Sequence, residues 1–449
     1  MVLTGDQDTI VAQATASGRG AVAIIRLSGA RACDMARALG VSGSLAPRRA
    51  TLVTLRDPQD GSLMDRALVT WFPAPRSYTG EEVVEFAVHG GRVTAMRVLA
   101  ACVGAGARPA LPGEFTRRAV VNGRLNLMQA EAVADLVDAR STAEQQQAVK
   151  QLDGGLSRRV LALREQLLHL EALLAYDIDF PEEDDGPIAP ARITSAALQL
   201  RDALAALLST VPRGGLVRDG ALVVLAGPPN AGKSSLFNAL LGQSRAIVTS
   251  VPGTTRDAIE ALLDRTPLPL RLVDTAGLRE TDDPVEQLGI EMSQRYLHEA
   301  QVVLACGASE AELQHCVQVV EGRTTAAVLA VYTKCDLTQP TGEDRLAVSA
   351  ERGDGLSALL EAIDVAVQSQ TPMPDADAVL VTRERHRVAL TQAHEEVMCF
   401  LDAWTTQALP APVAAAHLLT AREALSELIG VIDTDDLLDV VFRDFCIGK

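Results

Sequence analysis

Residues 221–242 read ALVVLAGPPNAGKSSLFNALLG, and the rest of the chain can be organised outward from them. ALVVLA is an apolar run of strand length and SSLFNALLG has the apolar spacing of a helix. Between them, Gly227-Pro-Pro-Asn-Ala-Gly232-Lys233-Ser234 matches G-x-x-x-x-G-K-[ST]. A strand–loop–helix unit of this kind cradles phosphates. Its glycines let backbone N–H groups wrap a phosphate chain, and the helix N-terminus adds partial positive charge. Lys233 is expected to reach the β- and γ-phosphates of a nucleotide and to act in catalysis, while the Ser234 hydroxyl ligates Mg²⁺. Asn230, Ala231, Gly232 and Ser235 complete the contacts expected of the loop.

Downstream, LPLRLVDTAG (268–277), QVVLACG (301–307) and AAVLAVYTKCD (326–336) are further buried-strand runs separated by helical segments, which predicts a doubly wound parallel sheet. Two of these runs end in polar signatures. Asp274-Thr275-Ala276-Gly277 closes one, so Asp274 can hold Mg²⁺ through water and the Gly277 amide can sense a γ-phosphate. The segment Thr249-Ser250-Val251-Pro252-Gly253-Thr254-Thr255 lies between loop and strand, where a switch threonine coordinates Mg²⁺, here Thr255. Thr333-Lys334-Cys335-Asp336 resembles the N-K-x-D guanine-reading motif, and Ser349-Ala350 resembles the last base-contacting loop. Each alone is ordinary turn chemistry; in this order on one sheet they predict a Ras-like G domain that binds GTP. Thr333 stands where the motif has asparagine. The Asp336 carboxylate can still accept from guanine N1–H and the 2-amino group, which adenine cannot offer, so guanine specificity is expected to survive with reduced affinity. Leu278 follows Gly277 where Ras-type enzymes place a water-orienting glutamine, so that role must fall to another residue.

With 449 residues the chain is too long for one core, at roughly 100–200 residues per domain. Aromatics make up only 3%, so the cores must be Leu, Val, Ile and Ala, which favours α/β and α domains. Residues 1–120 alternate strand runs (AVAIIRLSG, 21–29; RALVTWF, 66–72; EEVVEFAVHGG, 81–91) with helical stretches such as TAMRVLAACVGAG (94–106). They read as a compact α/β domain. From 121 to 216 the pattern is long, amphipathic and helical, broken once at AYDIDFPEEDDGP (175–187), with VPRGGLVRD (211–219) reading as a hinge. The G domain then occupies 217–376, and helices return over 377–449. The expected architecture is a discontinuous helical domain with the P-loop domain inserted in it.

The balance of 41 Lys+Arg against 58 Asp+Glu, net −17, is the wrong sign for gripping nucleic acid by bulk electrostatics; any RNA contact must be local. No stretch approaches 18 apolar residues, and MVLTGDQDTI lacks a basic region followed by an apolar run. The expectation is a cytoplasmic protein without a membrane span. Seven scattered cysteines without CxxC spacing argue against a zinc site or a disulfide framework.

The motifs DTIVAQAT, GRGAVAIIRLSG, SYTGEEVVEF, PGEFTRRA, NGRLNLMQAEAVADLVDA, IDFPEED, GPPNAGKSSLFNALLG, PGTTRDAIE, DTAGLRE and FCIGK run through the whole chain. In them the sequence resembles the tRNA modification GTPases of the MnmE (TrmE) family. The resemblance implies an N-terminal folate-binding domain that also mediates homodimerisation, a two-part helical domain, and a G domain that pairs with its twin in a K⁺-dependent way during hydrolysis. It implies a flavoprotein partner, MnmG (GidA), in a heterotetramer that adds a carboxymethylaminomethyl-type group to C5 of the wobble uridine (position 34) of certain tRNAs. The one-carbon donor is then 5-formyl-tetrahydrofolate or a related tetrahydrofolate. Carried onto this sequence, it implies Asn230, Thr249, Val251 and Thr254 as K⁺ ligands, Glu286 as the residue that orients the attacking water, and Arg26, Glu85, Arg124 and Lys449 as the folate site. Arg124 stands where the family usually has lysine, and Asn126 where it usually has aspartate. Cys446, in the tail, is read either as a catalytic thiol acting on the tRNA base or as an anchor of the tail near the folate pocket. Read as bare residues, Arg26 is a surface strand residue, and Glu85 and Glu286 are solvated carboxylates. The competing reading is a regulatory GTPase switch, of the ribosome-assembly type, whose outer domains only dock partners.

Overall fold

A computed structural model describes residues 8–179, 189–243, 246–248, 259–265, 268–274, 294–338, 346–371, 378–430 and 448. The chain forms two compact units, Met1–Ala134 with Ser426–Lys449 and Asp135–Leu425. These units are defined by spatial contact and so join residues 1–134 to the far end of the sequence.

The first unit is built on a six-stranded sheet of β1 (Ile10–Gln13), β2 (Val22–Ser28), β3 (Thr51–Arg56), β4 (Leu63–Phe72), β5 (Val83–His89) and β6 (Arg108–Pro109), in the order β3-β4-β5-β2-β1-β6. Helices α1 (Ala32–Ala38), α2 (Arg92–Gly104) and α3 (Glu114–Val121) complete it, and α4 (Leu127–Asp138) follows. The alternation of side chains along a strand sorts the core. Val11, Ile25, Leu27, Val84 and Phe86 pack with Met35 of α1 and Val98 of α2, whereas Ile10 and Ala12 pack with Phe115 of α3. Arg26 lies opposite Ala12 in register and therefore on the second face, with Glu85 as its neighbour on β5.

The second unit holds the helices α5 (Thr142–Leu152), α6 (Gly155–Asp179), α7 (Pro190–Leu208) and α8 (Val211–Asp219), and then the inserted α/β layer. That layer comprises β7 (Ala221–Ala226), α9 (Lys233–Gln243), β8 (Ala246–Val248), β9 (Ile259–Leu263), β10 (Leu270–Asp274), β11 (Val302–Gly307), α10 (Glu310–Glu321), β12 (Ala327–Tyr332), β13 (Leu346–Ala347) and α11 (Leu356–Gln370). Helices α12 (Glu384–Thr406) and α13 (Ala411–Ile429) are the last described elements. All six residues of β7 are buried. Val223 and Leu225 belong to one core and Leu222, Val224 and Ala226 to another, as expected of a central strand covered on both faces.

Three expectations need correction. The sheet, ordered β13-β12-β11-β7-β10-β9-β8, is parallel from β13 to β10, but β9 runs antiparallel to both β10 and β8, so it is mixed. VPRGGLVRD is helix α8 and not a hinge. Pro212 sits in its first turn, where a missing N–H costs nothing, and Gly214 is glycine because a Cβ there would stand 1.9 Å from the Val381 carbonyl oxygen. The helical stretch from 121 also breaks more than once, between α3 and α4, between α4 and α5 at the Ser141 N-cap, and at Asp153-Gly154.

Candidate functional site: a nucleotide loop and a separate arginine-rimmed cleft

The glycine-rich loop leaves β7 and enters α9 at the carboxyl ends of β7, β10, β11 and β12, where an open α/β sheet leaves a crevice for ligand. Close packing shapes it. A Cβ on Gly227 would lie 2.4 Å from the Cys306 carbonyl oxygen on the neighbouring strand, so only glycine lets the loop turn there. Asn230 is left-handed, with φ at 63°. Lys233 is buried, and its Nζ donates to the Gly227 and Pro228 carbonyls at 2.8 and 3.0 Å, which keeps the ammonium inside the cradle.

Ser234 Oγ donates to Asp274 Oδ2 at 2.6 Å, and Asp274 Oδ1 is buried with no hydrogen-bond partner among the described residues. An orphaned carboxylate oxygen beside a hydroxyl is costly without a cation, and an all-oxygen donor set of this kind suits Mg²⁺. Asp274 and Ser234 are thus the residues that would hold the ion.

The segment 333–336 is fastened to the phosphate loop. Thr333 is 2% exposed, and its hydroxyl lies 2.6 Å from the Ala231 carbonyl and 3.0 Å from that of Gly307. Lys334 Nζ donates to the Asn230 carbonyl at 2.7 Å. These two side chains occupy successive carbonyls of the loop, a role the sequence did not indicate for Lys334. Asp336, Ala350, Ser235, Gly232 and Leu236 then line a cleft of about 510 Å³ beside them. Ser349 is fully buried and accepts from the Arg352 amide at 3.2 Å, which shapes the loop without reaching the cleft. Burial, with the Asp354 and Asp336 carboxylates nearby, raises the Cys335 thiol above its ordinary pKa.

Thr249, Ser250, Val251, Pro252, Gly253, Thr254, Thr255, Thr275, Ala276, Gly277 and Glu286 lie outside the described residues, as do Cys446 and Lys449.

In the first unit, Arg26 and Glu85 meet. Arg26 Nε donates to Glu85 Oε1 at 2.8 Å, with the two side chains 20% and 21% exposed, so neither is the solvated surface charge that bare residue statistics favour. The Arg26 guanidinium lies 5.5 Å from the centre of the Tyr78 ring and 5.6 Å from that of Phe115, and its Nη1 donates to the Gly448 carbonyl at 3.3 Å. Glu85 and Arg124 both line a cleft of about 570 Å³. Arg48, Phe72, Arg76, Ser77, Tyr78 and Val83 line it too, and sequence reading singled out none of them. Tyr78 and Arg76 could have been found from their place around SYTGEEVVEF, but nothing in sequence joins Arg48 to that segment.

Among the described cysteines, burial pushes the Cys33 thiol to about 11 and that of Cys102 to about 12, and raises Cys306 and Cys316 as well. Cys399 alone is exposed. No group of three or more His, Cys, Asp or Glu among the described residues could hold a metal, and no described helix is long and apolar enough to cross a membrane.

Two family descriptions match the chain, "GTP-binding protein TrmE N-terminus" over residues 9–124 and "MnmE helical domain" over residues 127–446. A protein of Methylobacterium radiotolerans named tRNA modification GTPase MnmE is 45% identical over 99% of this chain and 100% of its own length. Proteins of the same name from Akkermansia muciniphila and Azoarcus sp. are 40% and 41% identical, over 100% and 98% of this chain and 100% and 98% of their own lengths. Among solved structures, the G domain of the T. maritima FeoB iron transporter is similar over 33% of this chain and 99% of its own, at 23% identity and a TM-score of 0.28. With both halves of the chain matched and relatives aligned end to end, the protein belongs to the MnmE (TrmE) family of tRNA modification GTPases.

Proposed function

We propose that this chain hydrolyses GTP as one component of a cytoplasmic complex that, with the flavoprotein MnmG, modifies C5 of the wobble uridine of certain tRNAs. The observation that carries the reading is the Arg26–Glu85 pair at a cleft in a different compact unit from the nucleotide loop. A regulatory switch has no use for a second small-molecule site of this chemistry.

Each site has its own task. At the loop, backbone amides and Lys233 hold the phosphates and Asp336 reads guanine. Asp274 and Ser234 hold Mg²⁺, which supplies charge against the oxygens of the transferred phosphoryl group. The resemblance adds K⁺ at Asn230, Thr249, Val251 and Thr254, pairing of two G domains, and Glu286 as the group that orients water. In the cleft, Glu85 accepts from the amide and amino edge of a pterin, Arg26 fixes the Glu85 carboxylate, and Arg124 with Lys449 faces the glutamyl end. Bound tetrahydrofolate supplies a one-carbon unit. Homodimerisation through the N-terminal domain is supported by Leu52 and Leu68, which oppose each other on β3 and β4 and are 70% and 47% exposed. The segments 1–120, 121–216, 217–376 and 377–449 are the domains to which these roles belong.

The test is a wobble-base modification assay with purified tRNA, the flavoprotein partner, folate donor and GTP. Modification that requires all four is expected. GTP turnover without any modification, together with no folate binding by calorimetry, would make the regulatory switch the better account.

A further inference from the structure

The chain is acidic as a whole, but its charge is unevenly divided. Residues 9–124 hold 15 arginines, no lysine and 8 Asp and Glu, a net of +7, whereas the remaining residues hold 26 basic and 50 acidic side chains, a net of −24. Nearly all the cationic excess available to a polyanion therefore lies in the N-terminal sheet domain. Several of these arginines are consumed internally. Arg26 pairs with Glu85, Arg37 with Asp34, and Arg108 and Arg118 with Glu114. Arg48, Arg76 and Arg124 are exposed, have no carboxylate within ion-pair distance among the described residues, and converge on one cleft.

That rim is ordered before any ligand arrives. The Arg48 guanidinium lies 5.8 Å from the centre of the Phe72 ring and donates to the Arg76 carbonyl, which fixes its direction at little further entropic cost. Phe72 and Tyr78 line the same cleft. Exposed guanidinium groups interleaved with aromatic rings are the chemistry that holds single-stranded RNA, through phosphate contacts and base stacking. We propose that the part of the rim formed by Arg48 and Arg76 seats the phosphate backbone of the RNA substrate at the mouth of the one-carbon donor's cleft, leaving Arg124 to the donor itself. The inference rests on the tRNA-modification reading and deepens it. An acidic protein handles a nucleic acid through a local arginine surface, which also keeps the rest of the chain from binding RNA indiscriminately.

The experiment titrates an anticodon stem-loop RNA into the full-length chain by fluorescence anisotropy across a KCl series. Wild type is compared with Arg48→Ala/Arg76→Ala and Arg48→Lys/Arg76→Lys, and thermal melts verify that all three are folded. The alanine pair is expected to weaken binding about tenfold or more and to flatten the slope of log affinity against log salt by roughly 1.4, at about 0.7 for each single-strand phosphate left without its arginine. The lysine pair keeps most of the slope because charge is retained. Unchanged affinity and slope in the alanine pair, or no measurable RNA binding by wild type, overturns the proposal. A second arm measures polyglutamylated 5-formyl-tetrahydrofolate by calorimetry. Loss of that ligand in the alanine pair with RNA binding intact assigns the rim to the folate tail and likewise overturns it. RNA binding that depends on these arginines in a chain that supports no wobble modification leaves the surface standing and sinks the functional reading, so the two failures are separable.

Discussion

The two sites are made in opposite ways. The nucleotide loop is a contiguous run of backbone donors between Gly227 and Ser234, reached by a few side chains from strand ends, and its glycines matter for what they leave out. The cleft of the first unit is assembled from side chains contributed by Arg48, Phe72, Tyr78, Glu85 and Arg124, with Arg26 paired to Glu85, groups far apart along the chain. A site made of backbone survives many side-chain changes but fails at a few irreplaceable positions. A site made of side chains degrades gradually, in proportion to how buried each partner is.

The sharpest break in this comparison is at Asp274. Replacing it with alanine removes the acceptor of Ser234 and the orphaned oxygen together, and GTP turnover is expected to fall by on the order of 10³. Folate affinity, measured by calorimetry, should be untouched; a parallel loss of both would show that the sites are not separately built. Next in size, Glu85→Ala leaves the half-buried Arg26 without its carboxylate and strips a pterin of its acceptor. Affinity for 5-formyl-tetrahydrofolate is expected to drop roughly 30- to 150-fold, at about 2–3 kcal/mol for a charged hydrogen-bond partner. Arg124→Ala, at an exposed position, should cost only about threefold. Equal effects would mean that the cleft is not graded by burial.

Thr333 offers an intermediate case, since its buried hydroxyl ties the base segment to the phosphate loop. Thr333→Val is expected to weaken GTP and GDP alike by about tenfold, the contribution of one buried hydrogen bond near 1–1.5 kcal/mol, without altering discrimination against ATP. Thr333→Ser should restore most of it. A change in base choice instead of affinity would move Thr333 from positioning the loop to reading the base. Exchanging Na⁺ for K⁺ at matched ionic strength is expected to raise turnover several-fold, and equal rates would remove the cation from the account of Asn230. The smallest effect on either ligand should come from Gly214→Ala. Its new methyl meets the Val381 carbonyl, so α8 must shift, and a lowered melting temperature of about 2–4 °C per kcal/mol of destabilisation is expected with both ligand affinities preserved. Loss of GTP binding there would mean that α8 props the loop and is not merely packed beside the 381 segment.

The contrast also explains what is legible in sequence. The loop is legible because its function depends on residues adjacent in the chain, where strand, glycine turn and helix signals fall in one window of about twenty residues. Asp274, Thr333 and Asp336 are legible because each sits at the end of an apolar strand run. Two features mislead for local reasons. The α8 segment reads as a hinge because Pro212 and Gly214 look like breakers, yet proline is harmless in a first helical turn and the glycine answers a contact with Val381, far along the chain. The antiparallel β9 goes unnoticed in a parallel pattern because strand direction leaves no trace in hydrophobic periodicity.

What the amino-acid order determined by itself is therefore the parallel strands β7, β10, β11 and β12, the phosphate loop and the side chains at strand ends, because these follow from chain-local spacing and backbone freedom. What only the tertiary structure decided is which distant groups meet: Arg26 with Glu85 across two strands, Arg48 with Phe72 at the cleft rim, Lys334 on the Asn230 carbonyl, and the burial that turns apparent surface charges into partners. The physical reason is that ion pairing and desolvation depend on distance in space and on exclusion of water, and neither quantity is carried by position along the chain until the sheet has closed over its core.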